Sequence, residues 1–406
     1  MVAPGTTPHR DLRDLLKLPR SPIASYLQKQ VTRGPRRQKA QADKPWRFPL
    51  IQAFTPDRLW NFAYEYLRNR FGPRHALATY SGDQFDTGIY PLVGDEGGIR
   101  IAICGDWGTG TDEAYQVAQR MKESDPHYTI HLGDIYYVGD DVEVKSNFLG
   151  VRDDNTGYSP CQWPCGSKGA FALLGNHEMY ARGNAYFELM LPTLGLKDEG
   201  KRGQKASFFC LENECWRIVA LDTGYDSLGW PIFEYFFPPK CGLTVEQLSW
   251  IKNVLKLGDD GRGVILLSHH QYYSRFDDWY PTAARQISEF LSRPVLWFWG
   301  HEHRMAIYEE FGADGGVRAF GRCVGHGGMP VELPPAEPLH PDCPLEFVDV
   351  RPYENTEYLK LGLNGFVRIN VKGPRFAAEY VDLRGSIAFT ESWEIKEGHL
   401  TRVVRS

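Results

Sequence analysis

Short runs of apolar residues alternate with amphipathic segments along the chain from Ile99 onward. Six of these runs are continuously apolar or β-branched, which is typical of strands buried on both faces of a sheet. They are Ile99–Cys104, Tyr128–Leu132, Ala170–Leu174, Trp216–Leu221, Val264–Leu267 and Val295–Trp299. Because helical patterns lie between several of these runs, the chain is predicted to form a layered α/β architecture.

Three amphipathic helices are predicted among the strands, at Thr111–Lys122, Thr244–Lys256 and Thr282–Ser292. Each begins with a threonine, a residue type whose hydroxyl can cap the first turn. A further helix is predicted before the strands, with Thr55 as its N-cap and an apolar stripe that reaches Leu67.

The end of the chain has a different pattern, with consecutive strands joined by turns that contain glycine. Strands are predicted at Gly365–Val371, Phe376–Asp382 and Ile387–Ile395, and we expect them to complete a second sheet. The preceding segment, Met329 to Pro352, contains seven prolines. Since proline cannot donate a hydrogen bond within a central strand, a long loop is predicted there.

Charge divides the 406-residue chain into unequal parts, although its net charge is only -5. Residues 1–47 hold 11 Lys or Arg against 3 Asp or Glu, whereas the remainder holds 35 against 48. The basic part is rich in Pro, Gly and Gln and has little to bury, which favours a flexible arm. The alternative to a free, flexible arm is that residues 1–47 bind a nucleic acid or a protein.

Composition excludes several classes of protein. Apolar residues make up 42% of the chain, and no run approaches the roughly 18 apolar residues of a membrane span, so we expect no membrane association. The first twenty residues lack the apolar core of a signal peptide, which predicts a cytoplasmic protein.

The eight cysteines are expected to be free thiols, with a local disulfide or metal clip at Cys161 and Cys165 as the alternative.

Polar residues of a restricted kind follow five of the predicted strands. The segments are Gly105-Asp106-Trp107-Gly108, Gly133-Asp134-Ile135-Tyr136-Tyr137, Gly175-Asn176-His177-Glu178, Ser268-His269-His270 and Gly300-His301-Glu302-His303. Ligands of open α/β sheets bind at the carboxyl ends of strands, so these side chains are expected to converge. Carboxylates, an amide oxygen and imidazoles together favour Fe, Zn or Mn, and the absence of cysteine disfavours a structural zinc site.

This series of motifs resembles the calcineurin-like metallophosphoesterase superfamily, and within it the purple acid phosphatase branch. Two residues indicate that branch: Gly108 stands where many members have a histidine, and Tyr137 lies three residues after Asp134, where the branch has a tyrosinate. The resemblance implies an α/β metallophosphoesterase fold with two packed mixed β-sheets flanked by helices. It spans about Ile99 to Asp382.

Charge and hydrophobic pattern predict a division of the chain into four parts, and the resemblance implies a set of metal ligands. A basic arm at 1–47 and an accessory helical segment at 48–98 would precede a metallophosphoesterase domain at 99–395 and a tail at 396–406. One metal would be bound by Asp106, Asp134, Tyr137 and His303, and the other by Asp134, Asn176, His269 and His301. Asp134 would bridge the two, and the pair would be Fe(III) with Fe(II), Zn or Mn, because coordination of a tyrosinate requires a strongly acidic metal.

The implied activity is hydrolysis of a small phosphomonoester by a hydroxide that bridges the metals. His177 is expected to protonate the leaving alkoxide, with His270 as the second candidate. The alternatives are a phosphodiesterase or nuclease with the same centre, and a metal-binding regulatory protein without turnover. Arg182 and His326 are expected to contact the substrate phosphate, although a surface arginine and a simple glycine-rich turn are the alternatives.

Overall fold

The computed structural model describes residues 72–82, 86–151, 160–197, 203–228, 240–258, 260–355 and 360–405. The basic arm at 1–47 and the helix predicted between Thr55 and Leu67 lie outside the described residues. The division of the chain into an arm, an accessory segment and a main domain therefore stays a prediction.

The strands, in chain order, are β1 (Ile89–Pro91), β2 (Ile99–Cys104), β3 (Tyr128–His131), β4 (Gly169–Ala172), β5 (Gly195–Leu196), β6 (Phe209–Glu212), β7 (Trp216–Leu221), β8 (Gly263–Ser268), β9 (Val295–Trp299), β10 (Met305–Phe311), β11 (Ala319–Val324), β12 (Val331–Glu332), β13 (Leu345–Val348), β14 (Pro352–Asn355), β15 (Lys360–Gly362), β16 (Gly365–Lys372), β17 (Arg375–Asp382), β18 (Ile387–Lys396) and β19 (His399–Arg405). The α-helices are α1 (Asp112–Glu123), α2 (Asp141–Asn147), α3 (Asn176–Tyr180), α4 (Val245–Trp250) and α5 (Thr282–Ile287). Single π-helical turns cover Tyr186–Met190 and Ile251–Leu255, and a 3₁₀ turn covers Leu191–Thr193.

Two eight-stranded mixed sheets dominate the described residues. The first sheet has the order β19-β18-β17-β16-β2-β3-β4-β5, and the second has the order β1-β6-β7-β8-β9-β11-β10-β13. Parallel pairs join β2 to β3 and β3 to β4 in the first sheet, and β7 to β8 and β8 to β9 in the second. A small third sheet joins β12, β15 and β14.

The continuously apolar strands are explained by apolar layers on both of their faces. Successive side chains of a strand point to opposite faces, so Ile101 and Ile103 of β2 enter the core between the two sheets. Ala102 and Cys104 of the same strand face the outer layer that contains α1. The α/β class with two packed mixed sheets is thereby confirmed.

Helix starts agree with the capping prediction in two cases and disagree in one. The Thr111 hydroxyl accepts a hydrogen bond from the backbone N–H of Ala114 at 3.2 Å, and the Thr244 hydroxyl accepts one from Gln247 at 3.3 Å. Thr282 is instead the first helical residue of α5, and Pro281 occupies the N-cap without a side-chain hydrogen bond. The prediction of a Thr282 cap was wrong, because a proline already directs the chain into that helix.

The C-terminal strands extend the first sheet, whereas we had expected them to complete a second one. Strand β16 pairs antiparallel with β2, with Val367 opposite Ile103, and β17 to β19 follow as antiparallel neighbours. Residues 399–405, part of the predicted tail, form the edge strand β19. At the other end of the described chain, β1 pairs with β6 in the second sheet.

The proline-rich segment, predicted to be a long loop, contains two short edge strands. Strands β12 and β13 lie within it and β14 begins at its end, and these edge positions tolerate nearby prolines.

All eight cysteines are free. Within the described part of the chain, no helix is both long enough and apolar enough to cross a membrane.

A buried ion pair connects the two sheets. Arg322 of β11 donates to both carboxylate oxygens of Glu391 on β18, at 2.7 and 2.6 Å, and both side chains are fully buried. Tyr380 and Trp393 donate to the same carboxylate at 2.8 Å. Because every member of this network has a partner, its burial is tolerated, but loss of Arg322 would leave the Glu391 carboxylate with the longer charged contact to Arg402, at 3.5 Å.

We expect Arg322→Met to lower the free energy of unfolding by about 3–5 kcal/mol, since Glu391 would remain charged in an apolar layer. The matched control is Arg368→Met, which removes an exposed ion pair with Glu379 and should cost about 1 kcal/mol or less. Urea unfolding of the two variants measures both values. Equal losses would show that the buried pair does not hold the sheets together.

Candidate metal centre

Five strand ends bring polar side chains to one buried place between the two sheets. Asp106, Asp134 and Asn176 follow β2, β3 and β4, whereas His269 and His301 follow β8 and β9. All five side chains are at least 94% buried. The backbone turns off the strand in a left-handed conformation at Asp106, Asp134 and His301, with φ between 59° and 77°. Such conformations are uncommon outside glycine and concentrate at functional sites.

One group of donor atoms surrounds the hydroxyl of Tyr136. That oxygen lies 2.7 Å from Asp106 Oδ1, 2.9 Å from Asp134 Oδ2 and 3.0 Å from His303 Nε2. His303 Nε2 lies 3.4 Å from Asp106 Oδ1. Metal–ligand bonds of about 2.1 Å place tetrahedral ligands roughly 3.4 Å apart, so a small cation fits among these four groups.

A second group of donor atoms surrounds the amide oxygen of Asn176. His269 Nε2 and His301 Nδ1 each lie 3.0 Å from Asn176 Oδ1 and 3.3 Å from each other. Asp134 Oδ1 lies 3.3 Å from His269 Nε2. This set also fits a small divalent cation, because it combines one anionic oxygen, one neutral oxygen and two imidazole nitrogens.

The carboxylate of Asp134 therefore belongs to both groups, with Oδ2 in the first and Oδ1 in the second. Burial would raise its pKa, but the facing imidazoles of His269 and His177 hold the pKa of Asp134 well below its ordinary value. Burial likewise opposes protonation of His269, yet the Asp134 carboxylate raises the pKa of His269 to about 9. Without a cation, the cluster thus compensates its buried anion with protons on imidazole.

Glycines allow the backbone to approach the carboxylates closely. A Cβ atom on Gly175 would lie 2.1 Å from Asp134 Oδ1, and one on Gly300 or Gly325 would lie 2.7 Å from Asp106 Oδ2. Any side chain at these three positions would displace a carboxylate.

A family model for calcineurin-like phosphoesterases matches residues 99–305, about half of the chain, and this range holds all the donors described above. The chain belongs to the calcineurin-like phosphoesterase family. It is thus a metallophosphoesterase, an enzyme that hydrolyses phosphoric ester bonds, and the family generally binds two metal ions. The family assignment agrees with the resemblance drawn from the motifs.

Solved structures similar to this phosphoesterase include GAP50, the anchor in the inner membrane complex of Plasmodium, at 14% identity and a TM-score of 0.43. That match covers 73% of this chain and 89% of GAP50. PhoD matches at 13% identity and a TM-score of 0.46, over 77% of this chain and 73% of PhoD. Vacuolar protein sorting 29 from Cryptosporidium parvum matches at 10% identity and a TM-score of 0.27, over 77% of this chain and 98% of that one. No curated protein matches significantly.

The tyrosine hydroxyl at the phosphoesterase centre belongs to Tyr136, whereas the resemblance implied Tyr137. Ile135 forms a parallel bridge with Gly108, and the Tyr136 N–H donates to the Gly108 carbonyl at 2.9 Å. This bridge at Ile135, followed by a turn that begins at Tyr136, brings the Tyr136 hydroxyl to the Asp134 carboxylate. Gly108 is required for this bridge, because a Cβ there would lie 2.3 Å from Ile135 Cδ1.

His177 lies at the start of α3, beside the first donor group. Its backbone N–H donates to Asp134 Oδ1 at 3.0 Å, its Nδ1 bonds to the Tyr137 carbonyl, and its Nε2 lies 3.7 Å from Asp134 Oδ2. The ring packs against that of Tyr136 with centroids 4.4 Å apart. Burial lowers the pKa of His177, although the Asp134 charge opposes this.

Glu178 is a supporting residue to which the sequence analysis assigned no role. Its Oε2 accepts hydrogen bonds from the backbone N–H groups of Gly175 at 3.0 Å and Asp134 at 3.2 Å. Burial, together with the Asp134 charge, raises the pKa of Glu178 to about 8. Glutamate at the third position of a helix commonly accepts a hydrogen bond from the backbone N–H of the N-cap residue. The position of Glu178 in the sequence therefore already indicated this capping role.

His270 lies beside the second donor group. Its ring centroid is 4.6 Å from that of His301 and 4.8 Å from that of His269. The half-buried ring of Tyr280 lies 5.1 Å from that of His270. The Thr223 hydroxyl contacts His270 Nδ1 at 3.1 Å. Thr223 was missed because β7 was not recognised as a sixth strand that ends at the site.

Arg182 and His326 lie against other parts of the structure. Arg182 Nη1 donates to the Pro73 carbonyl at 3.3 Å, and its guanidinium packs on Gly72. The His326 ring lies against Gly365 in a small cavity that Asp349 and Arg351 also line. Arg182 therefore lies against the segment at Gly72 and Pro73, and the role of Arg182 and His326 in binding substrate phosphate stays a prediction.

We expect Gly175→Ala to lower the metal content while leaving the secondary structure intact, because the added Cβ would displace the Asp134 carboxylate. The control is Gly258→Ala, where a Cβ would meet nothing within 4 Å. Elemental analysis and circular dichroism of both variants make the comparison. Full metal content in Gly175→Ala would contradict the assigned position of Asp134.

Proposed function

We propose that this phosphoesterase is a dinuclear enzyme of purple acid phosphatase type that acts on phosphomonoesters. The observation that carries the proposal is the Asp134 carboxylate, whose two oxygens contact two separate sets of donor atoms. One shared anion between two sets is the arrangement that a pair of adjacent cations requires.

The proposed ligands of the first cation are Asp106, Asp134, Tyr136 and His303, and those of the second are Asp134, Asn176, His269 and His301. When bound, two such cations supply Lewis-acid polarisation of a phosphoryl oxygen and activation of a water. The imidazole of His269 is oriented to bind the second cation. Its Nδ1 donates to the Leu132 carbonyl at 2.9 Å, which leaves Nε2 for the cation.

Iron is the proposed metal of the first set, with Fe(II), Zn or Mn in the second. Burial raises the pKa of Tyr136 well above 10, and the carboxylates of Asp106 and Asp134 raise it further. The phenol is therefore protonated in the absence of metal, and only a strongly acidic cation such as Fe(III) would displace its proton. Tyr136 replaces Tyr137 as the proposed tyrosinate.

His177 is proposed to protonate the leaving alkoxide. Its ring is fixed by the Nδ1 bond to Tyr137 and by packing against Tyr136. The other nitrogen, Nε2, faces the Asp134 carboxylate. Because Nδ1 donates its proton to the Tyr137 carbonyl, a further proton at Nε2 makes the ring an imidazolium, a form that the Asp134 charge favours and burial opposes. That second proton would be placed at the centre, where the leaving oxygen departs.

The first test measures metal content and hydrolysis in the same preparation. We expect two metal ions per chain and faster turnover of 4-nitrophenyl phosphate than of bis(4-nitrophenyl) phosphate. Asp134→Asn, which is nearly isosteric but neutral, should lose metal and both activities because the shared anion is gone. Turnover confined to the diester would favour the phosphodiesterase or nuclease, and a metal-replete protein inactive on both esters would favour the regulatory role.

The second test uses the colour of the oxidised, iron-loaded protein. Electron transfer from a phenolate to Fe(III) under illumination gives a broad visible band, which carboxylate, amide and imidazole ligands do not give. We expect Tyr136→Phe to lose this band and Tyr137→Phe to keep it. The reverse result would return the tyrosinate role to Tyr137.

Two further proposals concern the substrate and the partner of the basic arm. A small phosphate ester is the proposed substrate, and a nucleic acid or protein is proposed only for the basic arm at 1–47. The cytoplasmic location stays a prediction from the sequence.

A further inference from the structure

The turn after β7 places a threonine against the second donor group. The Asp222 carboxylate accepts hydrogen bonds from the backbone N–H groups of Gly224 and Tyr225, each at 2.8 Å, and from the Ser207 hydroxyl. A Cβ on Gly224 would lie 2.2 Å from the Leu174 carbonyl oxygen, so the turn packs closely on the segment after β4. Thr223 is therefore held in a fixed position and is 98% buried.

The Thr223 hydroxyl makes two contacts with His270. It lies 3.1 Å from the backbone nitrogen of His270 and 3.1 Å from the ring nitrogen Nδ1. The backbone N–H can only donate, so the hydroxyl oxygen accepts from it. The hydroxyl could also accept from a protonated Nδ1, but its own buried proton would then have no acceptor among the described residues it contacts, so donation to Nδ1 is favoured.

A neutral imidazole carries one proton, and the nitrogen that accepts a hydrogen bond is the one without it. With the Thr223 hydroxyl donating to Nδ1, the proton of His270 resides on Nε2. We propose that Thr223 is a positioning residue that fixes the tautomer and the ring orientation of His270, so that Nε2–H donates to a phosphate oxygen. This inference rests on the proposed function.

The same hydrogen bond decides between two roles for His270. Single nitrogens of His269, His270 and His301 all lie within 4.8 Å of one another, so the three residues could hold one cation. A metal-binding imidazole nitrogen must be unprotonated. Because Thr223 occupies Nδ1 and Nε2 carries the proton, His270 binds substrate and not metal.

The test compares Thr223→Val, which keeps the side-chain volume without the hydroxyl, with Thr223→Ser, which keeps the hydroxyl. The probe is inorganic phosphate, measured as a competitive inhibitor and by calorimetry. We expect Thr223→Val to retain full metal content and to bind phosphate roughly 10-fold more weakly, whereas Thr223→Ser binds it as the wild type does. Thr223→Ala should reproduce the valine result.

A double-mutant cycle excludes a merely structural role for Thr223. In a His270→Ala background, Thr223→Val should weaken phosphate binding no further, because the threonine acts through that ring. Loss of metal in Thr223→Val would show that His270 is a ligand and overturn the proposal, as would equal phosphate affinity in the valine and serine variants. Failure of the proposed function would appear separately, as a wild-type protein that retains no metal.

Discussion

The structure of the site depends on keeping one carboxylate, that of Asp134, charged in a fully buried position. Its oxygens contact the His177 N–H, the Tyr136 hydroxyl and the His269 ring, and its backbone N–H is held by Glu178. Isolated buried charges are unfavourable, so this anion depends both on its hydrogen-bond donors and on positive charge nearby. Protonated imidazole supplies that charge without metal, and two cations would supply it in the working enzyme.

The fold provides this environment by packing two sheets whose parallel strands end at one place. The first sheet contributes the oxygen donors after β2, β3 and β4, whereas the second contributes the imidazoles after β8 and β9. Neither sheet alone carries a complete donor set. Links between the sheets, such as the Arg322–Glu391 pair, therefore help to keep the ligand set together.

Much of this arrangement could be predicted because the strands are continuously apolar and polar residues follow them immediately. The limits of β2, β7 and β9 match the predicted ones. What the sequence could not show was the local backbone after β3: the three-residue offset from Asp134 favours Tyr137, but the bridge between Gly108 and Ile135 brings the hydroxyl of Tyr136 to the donor atoms. Likewise, Arg182 lies near a site motif in sequence, yet its guanidinium donates to the carbonyl of Pro73, which is distant along the chain.

Anomalous diffraction from crystals of the metal-replete protein tests the central claim most directly. The account predicts two peaks about 3.5–4 Å apart, one beside each oxygen of Asp134. The peak on the Oδ2 side should lie beside Tyr136 and His303, and the other beside Asn176, His269 and His301. A single peak among His269, His270 and His301, with none beside Tyr136, would contradict it.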